Sequence, residues 1–339
     1  MSAPDETGEP RRPEARSPTG RLGELARMFA ERARRRIGDA ERRIEVRRFA
    51  GTLRHAQQLE EVIRVAHLTD LHVGRMTPMS IQFAATRLTN ELEPDLVLLT
   101  GDFVCHTQAW LAELEEVTRS FAAPVVAVLG NHDHWSGALA VRKTLERAGA
   151  EVLVNACTTR TIRGQTLQIV GVDDPYTGHA RIEQAFEDFD PTRPSIGLSH
   201  IGEEAEQFWE RGVPLVLAGH THAGQITFAR LNELTFGRIG GHRYVHGLYG
   251  SRERPAPEGA VYVGAGLGSS VMPLRLGERG RREVTLFELG VEPGSYPEHH
   301  REQEGHPWTP PSRDVMRRRR AKVLRRARRR RRRRDRDEP

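Results

Sequence analysis

The sequence predicts a compact α/β domain whose strands are covered on both faces. Three observations carry that expectation: five short, nearly continuous apolar runs, helical periodicity between several of them, and a polar cluster closing each run. The runs lie at 63–68, 96–99, 125–129, 196–198 and 215–218. Brief unbroken apolar stretches fit strands buried on two sides, since a strand with one wet face would alternate. Helical patterns fall at 81–92, 111–121, 139–148 and 203–211, so a layered sheet with helices outside is expected. A hairpin pair is expected at 158–162 and 166–172 around Arg163-Gly164, with late strands at 260–263 and 283–289.

The ends of the chain read differently. Residues 1–20, rich in Pro, Glu, Arg and Ser, bury too little apolar surface to offset ordering and are expected to be disordered. Within 21–60, Leu22, Leu25, Met28, Phe29, Ile37, Ile44 and Phe49 recur among arginines at roughly helical spacing. This predicts a basic amphipathic helix over 21–49 with a break at Gly38, either packed on the domain or lying on an anionic membrane face. The domain itself is expected at 61–290, and 291–339 is read as a low-order tail ending in an arginine-rich run.

Net charge is +6 over 339 residues, yet 317–334 alone holds 14 basic and no acidic residues, which leaves −8 elsewhere. The high pI therefore describes a tail, and an acidic body suits bound cations better than nucleic acid. The tail has three open readings: a solvated segment, a polybasic membrane tether acting with 21–49, or a nucleic-acid arm. Two cysteines, Cys105 and Cys157, exclude a disulfide framework, and no stretch approaches a spanning helix. Cytoplasmic residence is expected, with peripheral attachment to the inner membrane face as an option.

The polar clusters closing the runs are Thr69-Asp70-Leu71-His72, Thr100-Gly101-Asp102, Gly130-Asn131-His132-Asp133, Ser199-His200 and Gly219-His220-Thr221-His222. In an open α/β sheet, ligands gather beyond the carboxyl ends of strands, so five strand ends aim at one place. The donors are oxygen and imidazole without thiolate, a set for Mn, Fe, Zn or Mg, and too numerous for one ion. Two divalent ions sharing a carboxylate would use them all. The glycines before Asp102, Asn131 and His220 are read as sharp turns at strand ends.

This ordered set resembles the calcineurin-like metallophosphoesterase superfamily over about 62–289. The resemblance implies a four-layer α/β sandwich with two central mixed sheets flanked by helices. It further implies that Asp70, His72 and His222 hold one ion, that Asn131, His200 and His220 hold the other, and that Asp102 bridges them, with manganese favoured. His132 would be the general acid for the leaving oxygen, oriented by Asp133. Gly130-Asn-His-Asp-His-Trp-Ser-Gly137, Gly171-Val-Asp-Asp174, Gly219-His-Thr-His-Ala-Gly-Gln225 and Gly266-Leu-Gly-Ser-Ser-Val-Met-Pro-Leu-Arg275 look like a narrower bacterial branch. That branch holds membrane-associated phosphodiesterases and UDP-2,3-diacylglucosamine hydrolases of lipid A synthesis. The chain departs from it at Ala223, Ile201-Gly202 and Ala265, none of them a ligand position. The expected activity is hydrolysis of a lipid-linked or nucleotide-sugar phosphate near the membrane. A nucleic-acid-directed phosphodiesterase and a non-catalytic binding module on the same fold are the alternatives.

Overall fold

The computed structural model describes residues 31–32, 35–224, 242–269 and 280–307. Twelve strands form two six-stranded mixed sheets. The first sheet runs β1 (Ile44–Ala50), β12 (Arg282–Leu289), β2 (Ile63–Leu68), β3 (Leu96–Thr100), β4 (Val125–Val128) and β5 (Glu151–Val152). The second runs β10 (Gly247–Gly250), β11 (Ala260–Val263), β9 (Leu215–Ala218), β8 (Ser195–Leu198), β7 (Gln165–Gly171) and β6 (Ala156–Ile162). Strands β2 to β5 are parallel, as are β7, β8, β9 and β11. Among the described residues they are accompanied by a helical stretch at 35–41 and by α1 (Leu53–Gln58), α2 (Met79–Glu91), α3 (Leu111–Arg119), α4 (Asn131–Ser136), α5 (Ala138–Arg147), α6 (Ile182–Ala185) and α7 (Ala205–Glu210).

Period-two alternation along each strand separates the cores. Ile63, Val65, Leu96, Leu98 and Val126 meet Ile169, Ile196, Leu198, Leu215 and Leu217 between the two sheets. Their neighbours Ala66, Leu68, Val97, Leu99 and Ala127 face outward onto Ile81, Leu114, Val141 and Leu145 from α2, α3 and α5. On the far side, Val170, Val216 and Val261 pack against Ala185, Ala205 and Phe208. Burial on both faces is why these runs lack polar alternation. The β6–β7 hairpin turns at Arg163 (φ 51°) and Gly164 (φ 77°), the paired positive values that match strand twist in a two-residue loop.

The N-terminal expectation needs correction. Residues 35–41 are helical, but 44–50 form β1, paired in parallel with β12. Phe49 enters the inter-sheet core, its ring centroid 5.5 Å from Phe287 and 5.1 Å from Tyr262. Ile37, Ala40 and Ile44 pack on the outer core, so over 35–50 the apolar face is covered by protein and is not presented to lipid. The domain accordingly begins upstream of 61.

It also extends past 290. Buried Arg252 forks onto Glu298 and Glu302 at 2.6 Å each, and Gln303 pairs with the backbone of Leu248 and Gly250. The expectations for 1–30 and for the arginine run at 317–334 lie outside the described residues. Cys105 and Cys157 are not joined in a disulfide.

Candidate metal centre

The turns that follow β2, β3, β4, β8 and β9 are hydrogen-bonded to one another. Asp70 N donates to Gly101 O (3.0 Å), His72 N to Asp102 O (2.9 Å) and Gly219 N to His200 O (3.1 Å). Five of the predicted site residues sit in the left-handed region: Asp70 (φ 52°), His72 (43°), Asp102 (55°), His220 (75°) and His222 (52°). Non-glycine residues held there cost on the order of 1–3 kcal/mol each and cluster at functional sites. Gly101 (φ +84°) does make a sharp turn. Gly130 and Gly219 serve differently from the expectation: a Cβ on Gly130 would lie 2.4 Å from Asp102 Oδ1, and one on Gly219 would meet Thr69 and Asp70, so they permit close approach.

The side chains converge in two groups of three. Ligand atoms of Asp70, His72 and His222 lie within 4.8 Å of one another, as do those of Asp102, His200 and His220. His222 Nε2 is 3.3 Å from Asp70 Oδ1 and 3.1 Å from His72 Nε2. Asp102 Oδ2, a member of the second group, also reaches the first, 3.6 Å from His72 Nε2 and 3.4 Å from His200 Nε2. His200 Nδ1 donates to Thr100 O (2.7 Å), which fixes the tautomer and turns Nε2 inward. The other carboxylate oxygens are anchored: Asp70 Oδ2 accepts from Thr69 Oγ1 and His220 N, and Asp102 Oδ1 from His132 N.

What remains unanchored tests whether cations fit. Asp70 Oδ1 and Asn131 Oδ1 are buried with no hydrogen-bond partner, and His200 Nε2 makes no proper hydrogen bond either. A buried polar atom left alone costs about 1–3 kcal/mol, and coordination of a cation would satisfy such atoms. Electrostatics agree. Burial works against the charged form of His200, but Asp102, with Asp70 and Asp174, outweighs it and pushes its pKa up to about 10. The pocket thus draws positive charge. Burial would raise Asp102, yet the facing His200, His132 and His72 imidazoles hold it well below the usual carboxylate range. Burial keeps His72 and His220 well below their ordinary range, the neutral state a metal ligand needs.

His132 lies beside this cradle, Nε2 3.9 Å from Asp102 Oδ2. Asp133 does not orient it. The Asp133 carboxylate accepts from Gly130 N (2.9 Å), Phe103 N (2.8 Å) and Val104 N (3.2 Å), binding two strand-end turns together. Its position at the third residue of α4 directs it back to the helix start. Burial and the Asp102 charge push its pKa up to about 7, against those backbone hydrogen bonds.

Several neighbours escaped sequence reasoning. Cys105 comes within ligand distance of His72 and His132, though burial pushes its thiol up to about 11. His242 packs 5.2 Å from His220, and His106 4.4 Å from His132. Trp135 lies inside the Gly130–Gly137 motif, where its proximity to His132 in sequence is the available signal.

The family described as calcineurin-like phosphoesterase matches residues 63–224. Phosphodiesterase YaeI of Escherichia coli (strain K12) is 33% identical over 232 residues, 67% of this chain and 82% of that protein. UDP-2,3-diacylglucosamine pyrophosphatase LpxG of Chlamydia trachomatis is 25% identical over 259 residues, 61% of this chain and 78% of that protein. Among solved structures, a 5′-nucleotidase precursor from Thermus thermophilus aligns with TM-score 0.41 and 15% identity, covering 61% of this chain and 49% of that one.

Proposed function

This chain belongs to the calcineurin-like phosphoesterase family and is a metal-dependent phosphoester hydrolase, and from that premise we propose that it is a phosphodiesterase or pyrophosphatase acting on a lipid-linked or nucleotide-sugar phosphate near a membrane. The observation that carries the reading is the placement of Asp102 Oδ2 between the two donor triads, with His132 alongside. Asp70, His72 and His222 would hold one divalent ion, and Asn131, His200 and His220 the other, with Asp102 shared; manganese is the favoured metal. When bound, such a pair supplies Lewis acidity to the phosphoryl oxygens and lowers the pKa of water.

The remaining work falls to the chain. The Thr100 carbonyl locks the His200 ring, and the Asp102 carboxylate holds the His132 backbone at 2.8 Å. His132 then presents Nε2 to the leaving oxygen and transfers a proton to it. No helix among the described residues is long and apolar enough to cross a membrane. In this reading, attachment to a membrane surface is through the arginine-rich run at 317–334.

The test is turnover by the manganese-loaded protein of bis-p-nitrophenyl phosphate, UDP-diacylglucosamine and single-stranded DNA. Hydrolysis of the first two supports the reading. Cleavage of DNA alone would replace it with the nucleic-acid-directed alternative.

A further inference from the structure

The rim of the cradle is built of rings. His106, exposed and held at φ 56°, lies parallel to Trp135 with centroids 5.6 Å apart and planes 10° from parallel. Trp135 sits 4.7 Å from His132 and meets Tyr176 edge-on at 6.0 Å; Tyr176 sits 5.3 Å from His220. Three separate stretches of chain thus make a continuous row from the candidate proton donor to a candidate ligand of the second ion.

The row is held rigidly. His134 Nε2 and Asp173 Oδ1 are 2.7 Å apart, tying α4 of the first sheet to the loop after β7 of the second. The Asp174 carboxylate accepts from Tyr176 N and Thr177 N (3.3 and 2.7 Å), fixing the backbone that carries the Tyr176 ring. Both Trp135 and Tyr176 remain partly open to solvent.

We infer that His106, Trp135 and Tyr176 form a subsite for a planar ring carried by the substrate, a nucleobase-type group beside the phosphate. The inference rests on the phosphohydrolase reading and deepens it. A phosphorus held between the triads, with its leaving oxygen at His132, brings the leaving substituent against this row. Ring faces bind planar groups by stacking while remaining tolerant of which base is present. The subsite would thus select a class of substituent, leaving the chemistry to the cradle.

Calorimetry on the manganese-loaded protein separates the two layers. Uridine monophosphate should bind about tenfold more tightly than ribose 5-phosphate. In Trp135→Ala and Tyr176→Ala the uridine preference should disappear, while inorganic phosphate affinity and bound metal stay at wild-type levels. Trp135→Phe should retain part of the preference, which guards against misreading a folding defect. Equal binding of uridine monophosphate and ribose 5-phosphate by wild type overturns the subsite. A protein that binds two ions and prefers uridine monophosphate yet hydrolyses no phosphoester overturns the parent reading instead.

Discussion

Two of the buried polar clusters among the described residues differ in how their charge is answered. Around β1 and β12, Arg47 is buried against Glu283 (Nε to Oε2, 3.0 Å), and Glu283 also accepts from Tyr262 OH (3.0 Å) and Ala265 N (2.7 Å). Charge there is answered by charge, and burial that would raise Glu283 is outweighed by Arg47 and His246, which hold it far below the usual range. At the strand ends, Asp70, Asn131 and His200 keep inward atoms without partners. In the first cluster Arg47 Nε also lacks a well-formed hydrogen bond, but it faces the opposite charge of Glu283 at 3.0 Å. The second cluster, in the function proposed above, is the one that cations would complete.

The sharpest way to break this contrast is Asp102→Asn. Turnover should fall by about 10³-fold or more, and the metal-dependent rise in Tm should vanish. A rise in Tm on manganese loading as large as that of wild type would erase the distinction. Glu283→Gln should do the reverse: urea melts should show a loss of about 3–5 kcal/mol, because Arg47 loses its buried counter-charge and keeps only the half-buried Glu45 at 3.3 Å, and metal binding per folded chain should persist.

A smaller effect follows for His132→Ala, with turnover of substrates having poor leaving groups reduced about 10²-fold and metal content near wild type. Loss of both ions in that variant would move His132 into the ligand set.

The smallest effect concerns another satisfied buried group. Burial lowers the pKa of His55 to about 4, against a hydrogen bond to Ser195 O at 2.9 Å. Neutral His55 is thus favoured in the fold and the charged form in the unfolded chain, so its contribution is complete above about pH 6.5 and is lost as pH falls toward 4. Replacing it with Leu should shrink the stability lost between pH 6.5 and 5 by about 2 kcal/mol in urea melts. An unchanged pH profile would contradict the assignment.

How far the sequence spoke depended on whether the reason for a residue was local. Strands such as β2 and β9 were legible to the residue because both faces are buried and the apolar run is continuous. Strand β1 was not, because Arg47 and Arg48 interrupt its pattern and the partner that makes Arg47 tolerable is Glu283, far along the chain. Strand β10, Gly247–Gly250, carries only Leu248 and Tyr249 between glycines and gives no periodicity. The donor residues were legible through ordered short motifs at strand ends. The role of Asp133 was not, since adjacency to His132 in sequence says nothing of which way α4 turns its carboxylate. Likewise, Tyr176 reaches His220 only through the meeting of loops from both sheets.

The central claim is that the two triads and Asp102 form one dinuclear cradle. Elemental analysis of the purified protein after manganese loading tests it most directly, with Asp102→Asn beside it. Two ions per wild-type chain and fewer than one in the variant are predicted; one ion or none in wild type, or two retained by the variant, would contradict it.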